Sequence, residues 1–368
     1  MVYRAIIFWG CIIVAVFTFA SCDQTPYEVE YLDGFSLHIT KWYNNHTAAI
    51  SITNDAGAPH VLQEQKVQEE ILKRNLTMDY ELVTYNLRDE VREYFIDYLI
   101  PNGFGVFGHG HKHINHDELS YEEAYDSFKK KYELMVEMGM TPISYAYPTG
   151  GGWRESTQRA LADAGFLSGR NHRTRYHDRV NIVPGNTMAL DNWYYLPTLV
   201  MQDYNFAQNE EAINNCAELI PYLDDALDNT AWLIKTYHAI GNESGWGFFD
   251  WDEFIKALDE IKSRDFWSVS MDNATRYVKQ RKTARVDLYD TSDDDIYSLD
   301  MELLLDIDPE LFYHPMTVKV EFPEILLNKK CGLYKNEELK KEFTVTSDGH
   351  YFNLIPFESY SIVELYAE

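Results

Sequence analysis

The stretch "NGFGVFGHGHKHINHDELSYEEAYDSFKKKYELMVEMG", residues 102–139, contains one complete strand–loop–helix unit. Residues 104–108 form a short apolar run, which is typical of a buried strand. Ser120 and Glu123 predict a capping box at the start of a helix, and the apolar residues that follow recur at helical spacing. Gly139 is typical of a helix end. Between strand and helix lie four of the chain's 12 histidines.

The same order of strand and helix recurs between residues 48 and 282. Such repetition predicts an α/β fold with a parallel sheet and helices outside it, and six to eight strands of this kind close into a barrel. In parallel barrels the functional groups follow the carboxyl ends of the strands. We predict strands at 47–53, 80–86, 104–108, 142–147, 231–237 and 266–270, and helices at 63–75, 87–100, 120–139, 155–165, 208–227, 251–262 and up to about 282.

The pattern changes after residue 282. Segments such as "MTVKVEF", "KEFTVTS" and "YSIVELY" are short, alternate in polarity and are separated by turns. They predict a small antiparallel β-sandwich over residues 283–368. The acidic stretch 291–300 is interpreted as a solvated connection. The sandwich serves either as a sugar-binding module or as a packing domain, and the sequence contains no evident row of exposed aromatic residues.

The amino-terminal segment has the composition of an export signal. Residues 1–22 contain one positive charge, a 16-residue apolar run and small residues before Cys22. "FASC" resembles a bacterial lipobox, so Cys22 is expected to carry a lipid and to anchor an exported lipoprotein to a membrane. An uncleaved membrane anchor is the alternative. Residues 23–44 are expected to form an N-terminal linker.

Composition limits the classes of partner. The chain has 45% hydrophobic residues, enough for a folded core, and a net charge of −27. A phosphate backbone would be repelled by this charge, so a nucleic-acid partner is excluded. Outside the signal only Cys216 and Cys331 remain, which predicts neither a disulfide framework nor a cysteine metal site.

Candidate ligands and acids follow three of the predicted strands. His109 and His113 lie four residues apart, so on one helical turn they can share a metal; a histidine-rich turn is the alternative. Asp55 follows the first strand and can ligate a metal or accept a proton from water, or else cap a turn. His238 ends another apolar strand and suits a general acid, or else a core histidine. Together they predict the pocket of a metallohydrolase.

These residues lie in a series of motifs that resembles the polysaccharide deacetylase family (NodB-homology, carbohydrate esterase). The likeness covers residues 45–282 and implies a distorted (β/α) barrel, here followed by the β-sandwich. The family's five motifs are matched in order by "TNDAG" (53–57), "NGFGVFGHGHKH" (102–113), "YAYPTG" (145–150), "LDNW" (190–193) and "LIKTYH" (233–238).

The resemblance implies a metal-dependent hydrolase that removes N- or O-acetyl groups from a polysaccharide or oligosaccharide. Zinc is the divalent metal expected, with metal-bound water as the nucleophile. His109 and His113 would be metal ligands, Asp55 the base and His238 the acid. Substrate and oxyanion contacts are implied for Tyr147, Thr149, Asp191 and Trp193, with core packing as the alternative for Trp193.

Two departures from the family pattern affect these roles. Ala56 stands where the family has a metal-binding carboxylate, so either Asp55 is itself a ligand or His111 or His116 substitutes. Ala146 replaces an arginine that orients the base, and Arg154 is expected to take its place. An inactive or weak glycan-binding lipoprotein on a degenerate deacetylase scaffold is therefore the rival hypothesis. A barrel metallohydrolase acting on another ester or amide is the third.

Overall fold

A computed structural model describes residues 34–55, 60–172, 192–203, 212–292 and 296–365. The expected signal and lipobox with Cys22, the expected metal-site departure at Ala56 and the expected substrate residue Asp191 lie outside these residues. Within them, no helix combines the length and the apolar character needed to cross a membrane.

The first of two parts is a parallel barrel. All seven residues of its central strand β2 are buried, as expected for a parallel sheet covered on both faces. The strands run in the order β6-β5-β4-β3-β2-β8-β7, with β9 also beside β2, and every pair is parallel. They are β2 (Ala48–Asn54), β3 (Met78–Leu82), β4 (Gly105–Gly108), β5 (Ser144–Ala146), β6 (Ser168–Arg170), β7 (Leu199–Val200), β8 (Trp232–Tyr237) and β9 (Phe266–Ser268).

One short segment joins the two edges of this sheet. The Leu196 backbone N–H donates to the Gly169 carbonyl at 2.8 Å, beside β6, and three residues later β7 begins beside β8. The expected parallel barrel is thereby confirmed. Strands β6 and β7 were absent from the periodicity prediction, because runs of two or three residues are too short to show a period.

Seven helices of the described residues pack outside the barrel. At the start of α3, Ser120 Oγ accepts from the Glu123 N–H and the Glu123 carboxylate accepts from the Ser120 N–H, which is the expected capping box. Helix α5 begins at Cys216 because Asn215 caps it, with its side chain accepting from the Glu218 N–H at 3.0 Å. The helices are α1 (Gln65–Lys73), α2 (Asp89–Glu93, continued by a π-helical turn over Tyr94–Leu99), α3 (Tyr121–Glu137), α4 (Glu155–Asp163), α5 (Cys216–Asp228), α6 (Trp251–Lys262) and α7 (Met271–Thr283).

The second part is an antiparallel β-sandwich, as expected. Its two sheets have the orders β1-β12-β15 and β10-β11-β16-β13-β14. Buried residues alternate along β11, which is the pattern of a strand with one face on the core. The strands are β1 (Ser36–Ile39), β10 (Arg285–Asp290), β11 (Ser298–Leu304), β12 (Met316–Glu321), β13 (Lys330–Lys335), β14 (Glu338–Thr344), β15 (His350–Leu354) and β16 (Ser359–Glu364).

Two boundaries need correction. Residues 36–39 lie inside the expected N-terminal linker, yet they form β1, which pairs with β12 from the far end of the chain. Leu37 and Ile39 are buried in the sandwich core. The acidic connection expected at 291–300 is shorter than predicted, because β11 already begins at Ser298.

Helix α7 attaches the sandwich to the barrel. Its Arg276 side chain donates to the Leu311 carbonyl at 2.9 Å, and Gln280 donates to the His314 carbonyl at 2.8 Å. The Tyr277 hydroxyl donates to the carbonyl of Thr40, just after β1. These buried bonds to loop carbonyls make the two parts one packed structure.

Candidate metal and catalytic site

The carboxyl ends of three parallel strands, β2, β4 and β8, bring the expected acidic and histidine side chains together. Asp55 follows β2, and its N–H donates to the Tyr237 carbonyl of β8, next to His238. His109 follows β4 and continues the ladder by donating its N–H to the Leu82 carbonyl. His109 Nε2 lies 3.1 Å from Asp55 Oδ2, and His238 Nε2 lies 3.8 Å from the same oxygen. The barrel register therefore places these side chains at one mouth.

Asp55, His109 and His113 could hold a divalent metal. Each offers a ligand atom, and these atoms all lie within 4.8 Å of one another. Two ligands of one zinc ion, each at about 2.1 Å, are separated by up to about 4 Å, so small side-chain movements suffice. The buried Nε2 of His109 and Asp55 Oδ2 lie 3.1 Å apart, so both atoms can approach one ion. One carboxylate and two imidazoles leave a tetrahedral ion an open position, as catalytic zinc sites have.

The other two histidines of the same stretch point to other partners. His111 Nδ1 lies 3.1 Å from Thr84 Oγ1. His116 is buried, stacks on the Phe128 ring and has its Nε2 3.0 Å from Ser127 Oγ. Burial lowers the pKa of His116 to about 4, so it is a neutral core histidine at pH 7. The structure thus corrects the expectation that His111 or His116 substitutes as a metal ligand.

The surroundings favour an ionised Asp55 carboxylate and neutral imidazoles at His113 and His238. Burial alone would raise the pKa of Asp55, but the charge and hydrogen bond of His109 outweigh it and hold this pKa below its ordinary value. Burial lowers the pKa of His238 to about 4, against the opposing pull of Asp55. Burial also lowers the pKa of His113. A neutral imidazole is the form that binds a metal or accepts a proton.

The turn after β5 carries the residue expected to form the oxyanion hole. Thr149 lies in the turn Pro148–Gly150 and has a φ of 58°, a left-handed conformation that is uncommon for threonine. Tyr147 is buried, and its hydroxyl donates to the Tyr194 carbonyl at 2.9 Å. Tyr147 therefore supports the turn from within the core, and this corrects its assignment as a substrate contact.

Two further predicted roles are corrected by the packing. Arg154 lies at the start of α4 with its guanidinium over the Trp153 ring, so it does not orient Asp55. Trp193 packs beside the core that the barrel shares with the sandwich, under the Lys279 ammonium at 4.3 Å from the ring centroid. Trp193 is absent from the lining of the site cavity, so these contacts support the packing alternative.

A cavity of about 1010 Å³ opens over the site. Asp55, His113 and His238 lie in its wall, and Trp246, 62% exposed, stands at its edge with its ring 4.4 Å from the His238 ring. Glu64 also lines it and accepts from the Asn54 side chain at 2.7 Å. Burial raises the pKa of Glu64 to about 8, so it is a neutral acid at pH 7. The volume is at the upper end of small-ligand sites and suits a ligand of several rings.

Sequence reasoning missed several residues at this mouth. His172 follows β6, and its ring lies 5.1 Å from that of His238. Glu81 on β3 and Arg170 on β6 are buried beneath His109. Glu81 could have been found, because an acidic residue inside a buried strand is unusual. His172 could have been found from its place after the carboxyl end of a strand, but β6 was not predicted. Trp246 lies in a loop with no period and carried no signal.

The buried Asp117 carboxylate connects two loops of the site: the loop after β4, which carries His109 and His113, and the loop after β5, which carries Thr149. Asp117 accepts the N–H groups of Gly152, Trp153 and Arg154 at 2.7–3.2 Å. Gly152 has a φ of 87°, and a Cβ there would lie 2.2 Å from the Tyr147 ring, so only glycine fits. This anchor fixes the loop after β4 against the loop after β5.

No protein-family model matches the chain, and no curated protein matches it. Among solved structures the chain is similar to a protein from Mycobacterium smegmatis described as a polysaccharide deacetylase, at 17% identity and a TM-score of 0.46, over 69% of this chain and 96% of that one. It is also similar to the peptidoglycan deacetylase PdaC from Bacillus subtilis, at 12% identity and a TM-score of 0.39, over 65% and 94% of the two chains.

A third similar structure is a family 4 carbohydrate esterase pseudoenzyme from Bacillus anthracis, at 13% identity and a TM-score of 0.39, over 62% of this chain and 65% of that one. The resemblance to polysaccharide deacetylases expected from the motifs is thus also found among solved structures. At these identities and TM-scores it carries no argument about function. We therefore derive the function from the geometry of the site.

Proposed function

We propose that this chain is a metal-dependent deacetylase that removes N- or O-acetyl groups from a polysaccharide or oligosaccharide. The observation that carries the proposal is the convergence of Asp55, His109, His113 and His238 at one mouth of the barrel, open to a large cavity. A base, a proton carrier and three metal ligands in one pocket are what hydrolysis of an acetyl group requires.

His109, His113 and Asp55 are proposed to hold the metal, with zinc as the ion. When bound, it supplies a Lewis acid and lowers the pKa of a coordinated water towards neutrality. Because Ala56 stands at the family's carboxylate position, Asp55 is assigned as both ligand and base.

Proton transfer is assigned to Asp55 and His238. The Asp55 carboxylate accepts the proton of the attacking water. His238 Nε2 lies 3.8 Å from Asp55 Oδ2, so the two side chains must move closer, or one water must bridge them, before His238 receives that proton and passes it to the departing amine or alcohol. A histidine whose pKa burial lowers to about 4 is a good donor once it is protonated. The Thr149 N–H is proposed to stabilise the oxyanion, a contribution of about 3 kcal/mol.

A glycan is the proposed substrate because of the cavity. Its volume accommodates several rings, and the exposed Trp246 ring offers an apolar face on which a sugar can stack. The net charge of −27 disfavours polyanionic substrates. Export and attachment to a membrane through a lipid at Cys22 are part of the proposal.

The test is acetate release from a panel of acetylated glycans, measured with and without a chelator. We expect chelator-sensitive release from at least one glycan. Glycan binding without acetate release would favour the rival hypothesis, a glycan-binding lipoprotein on a degenerate scaffold. That hypothesis rests on the lost carboxylate at Ala56, which leaves Asp55 to act as both metal ligand and base. Release only from esters or amides that are not sugars would favour the third hypothesis.

A further inference from the structure

Two buried, oppositely charged side chains lie beneath the metal site without a role in the steps above. Glu81 on β3 is 2% exposed and Arg170 on β6 is 1% exposed, and they form an ion pair. Glu81 Oε2 lies 3.1 Å from Nδ1 of His109. Removing a carboxylate and a guanidinium from water costs free energy that their attraction often does not recover. A contribution to stability therefore does not by itself explain why this pair is buried here.

The surroundings of His109 determine which ring nitrogen carries the proton. Nδ1 faces two oxygens, the Ala146 carbonyl at 3.0 Å and Glu81 Oε2 at 3.1 Å. A carbonyl and a carboxylate can only accept hydrogen bonds. Nε2 also faces an acceptor, Asp55 Oδ2 at 3.1 Å, so a metal held between Nε2 and Asp55 requires the lone pair on Nε2 and leaves the proton of a neutral His109 on Nδ1.

Glu81 is itself held from four strands. Its Oε1 is the partner of Arg170 Nη2 and accepts from Thr53 Oγ1 at 3.3 Å and from Thr236 Oγ1 at 3.2 Å. Arg170 Nη1 donates to the Asn171 carbonyl at 2.8 Å. Because β2, β3, β6 and β8 all contribute, the carboxylate cannot move without disturbing the barrel.

We propose that Glu81 and Arg170 are positioning residues that hold His109 with its proton on Nδ1 and its Nε2 aimed at the metal. The Glu81 carboxylate, 3.1 Å from the proton-bearing Nδ1, makes the ring a stronger ligand, and the ion pair with Arg170 holds that carboxylate in place. Outer carboxylates of this kind alter metal affinity by about 10- to 100-fold. The inference rests on the proposed metal site and concerns residues outside the expected motifs.

The test compares metal affinity in two variants. The double variant Glu81→Gln/Arg170→Met removes both charges, so no unpaired charge stays buried. We expect its zinc dissociation constant, from competition with a chromophoric chelator, to rise by about 10- to 100-fold. Asp79→Asn is the matched control, because Asp79 is buried on the same strand and accepts from the Met271 N–H at 3.0 Å. Burial raises the pKa of Asp79, so the neutral, similarly shaped amide should be tolerated and should leave the zinc affinity unchanged.

Three outcomes are distinguishable. A zinc affinity of the double variant within about twofold of wild type overturns the positioning role. If wild type itself binds no divalent ion, the proposed function fails before this comparison. Should the double variant not fold, NMR of zinc-loaded wild type decides: a proton on His109 Nδ1 protected from exchange supports the inference, and zinc bound at Nδ1 overturns it.

Discussion

Among single residues, Asp55 has more roles in the proposed mechanism than any other side chain of the described site. Its Oδ2 is within 4 Å of both His109 and His238, and its ligand atom also groups with that of His113. Burial opposes its charge, and His109 restores it. One carboxylate thus stands where a metal ligand and a proton acceptor are both needed.

Replacing Asp55 tests this double role. Asp55→Asn keeps the side-chain shape but removes the charge, so we expect a folded protein whose zinc affinity falls at least tenfold and whose acetate release falls at least 100-fold. Zinc titration and an acetate assay measure the two effects. Asp89→Asn, an exposed position on α2, is the control and should change neither. Full activity of Asp55→Asn would refute the assignment.

The two kinds of histidine in residues 109–116 should separate experimentally. His109→Ala removes a buried ligand atom, and we expect the metal content to fall from about one ion per chain to near zero. His111→Ala, two residues away and bonded to Thr84, should keep the ion. Elemental analysis of the two purified proteins makes the comparison. If both variants lost the metal equally, residues 109–116 would bind it in an arrangement other than the Asp55–His109–His113 group.

At the scale of elements, β8 shows that one strand serves two environments. Its carboxyl end delivers His238 to the site, while Lys235 is fully buried and its ammonium donates to the Tyr237 hydroxyl at 2.7 Å. Burial lowers the pKa of Lys235 to about 7. Strand β8 therefore buries an ionisable amine among buried residues of the core.

Stability should depend on the protonation of Lys235. Above pH 7 the folded chain holds this amine neutral, whereas the unfolded chain keeps it protonated up to a pKa near 10.5. The unfolded state binds the extra proton between these values, so the free energy of unfolding should rise with pH from about 7 to 10.5. Lys235→Met should raise it by about 3 kcal/mol at pH 7 and remove this dependence.

Thermal unfolding at several pH values measures the effect. Lys256→Met is the control, since Lys256 is an exposed partner of Glu253 and should shift stability by less than about 0.5 kcal/mol. A Lys235→Met protein less stable than wild type at pH 7 would show that the hydrogen bond to Tyr237 outweighs the cost of burial.

At the scale of the whole molecule, strand β1 and helix α7 join the two parts. Strand β1 precedes the barrel in sequence but pairs with β12 in the sandwich, and α7 bonds to loops of the sandwich. The barrel is thus enclosed between two segments of the domain that packs against it. We expect the two parts to unfold together.

Substitution in β1 tests this arrangement. Ile39→Ala removes a fully buried side chain and should lower the free energy of unfolding by about 3 kcal/mol. His38→Ala, on the half-exposed face of the same strand, should cost less than about 1 kcal/mol. Denaturant unfolding followed by two probes measures both. An unchanged free energy of unfolding in Ile39→Ala would mean that residues 36–39 are not part of the folded sandwich and belong to the linker.

Several elements could be predicted from local signals along the chain. Buried apolar runs specified β2 and β8, the capping box specified α3, and the strand-end rule selected Asp55, His109, His113 and His238. These signals are local because side-chain period and cap chemistry are set by near neighbours along the chain. Only the tertiary structure decided which histidines face the site, how β1 pairs with β12, and that Glu81 meets Arg170. Those contacts join residues 89 to 285 positions apart, and their partners are fixed by barrel register and packing, which leave no period in the sequence.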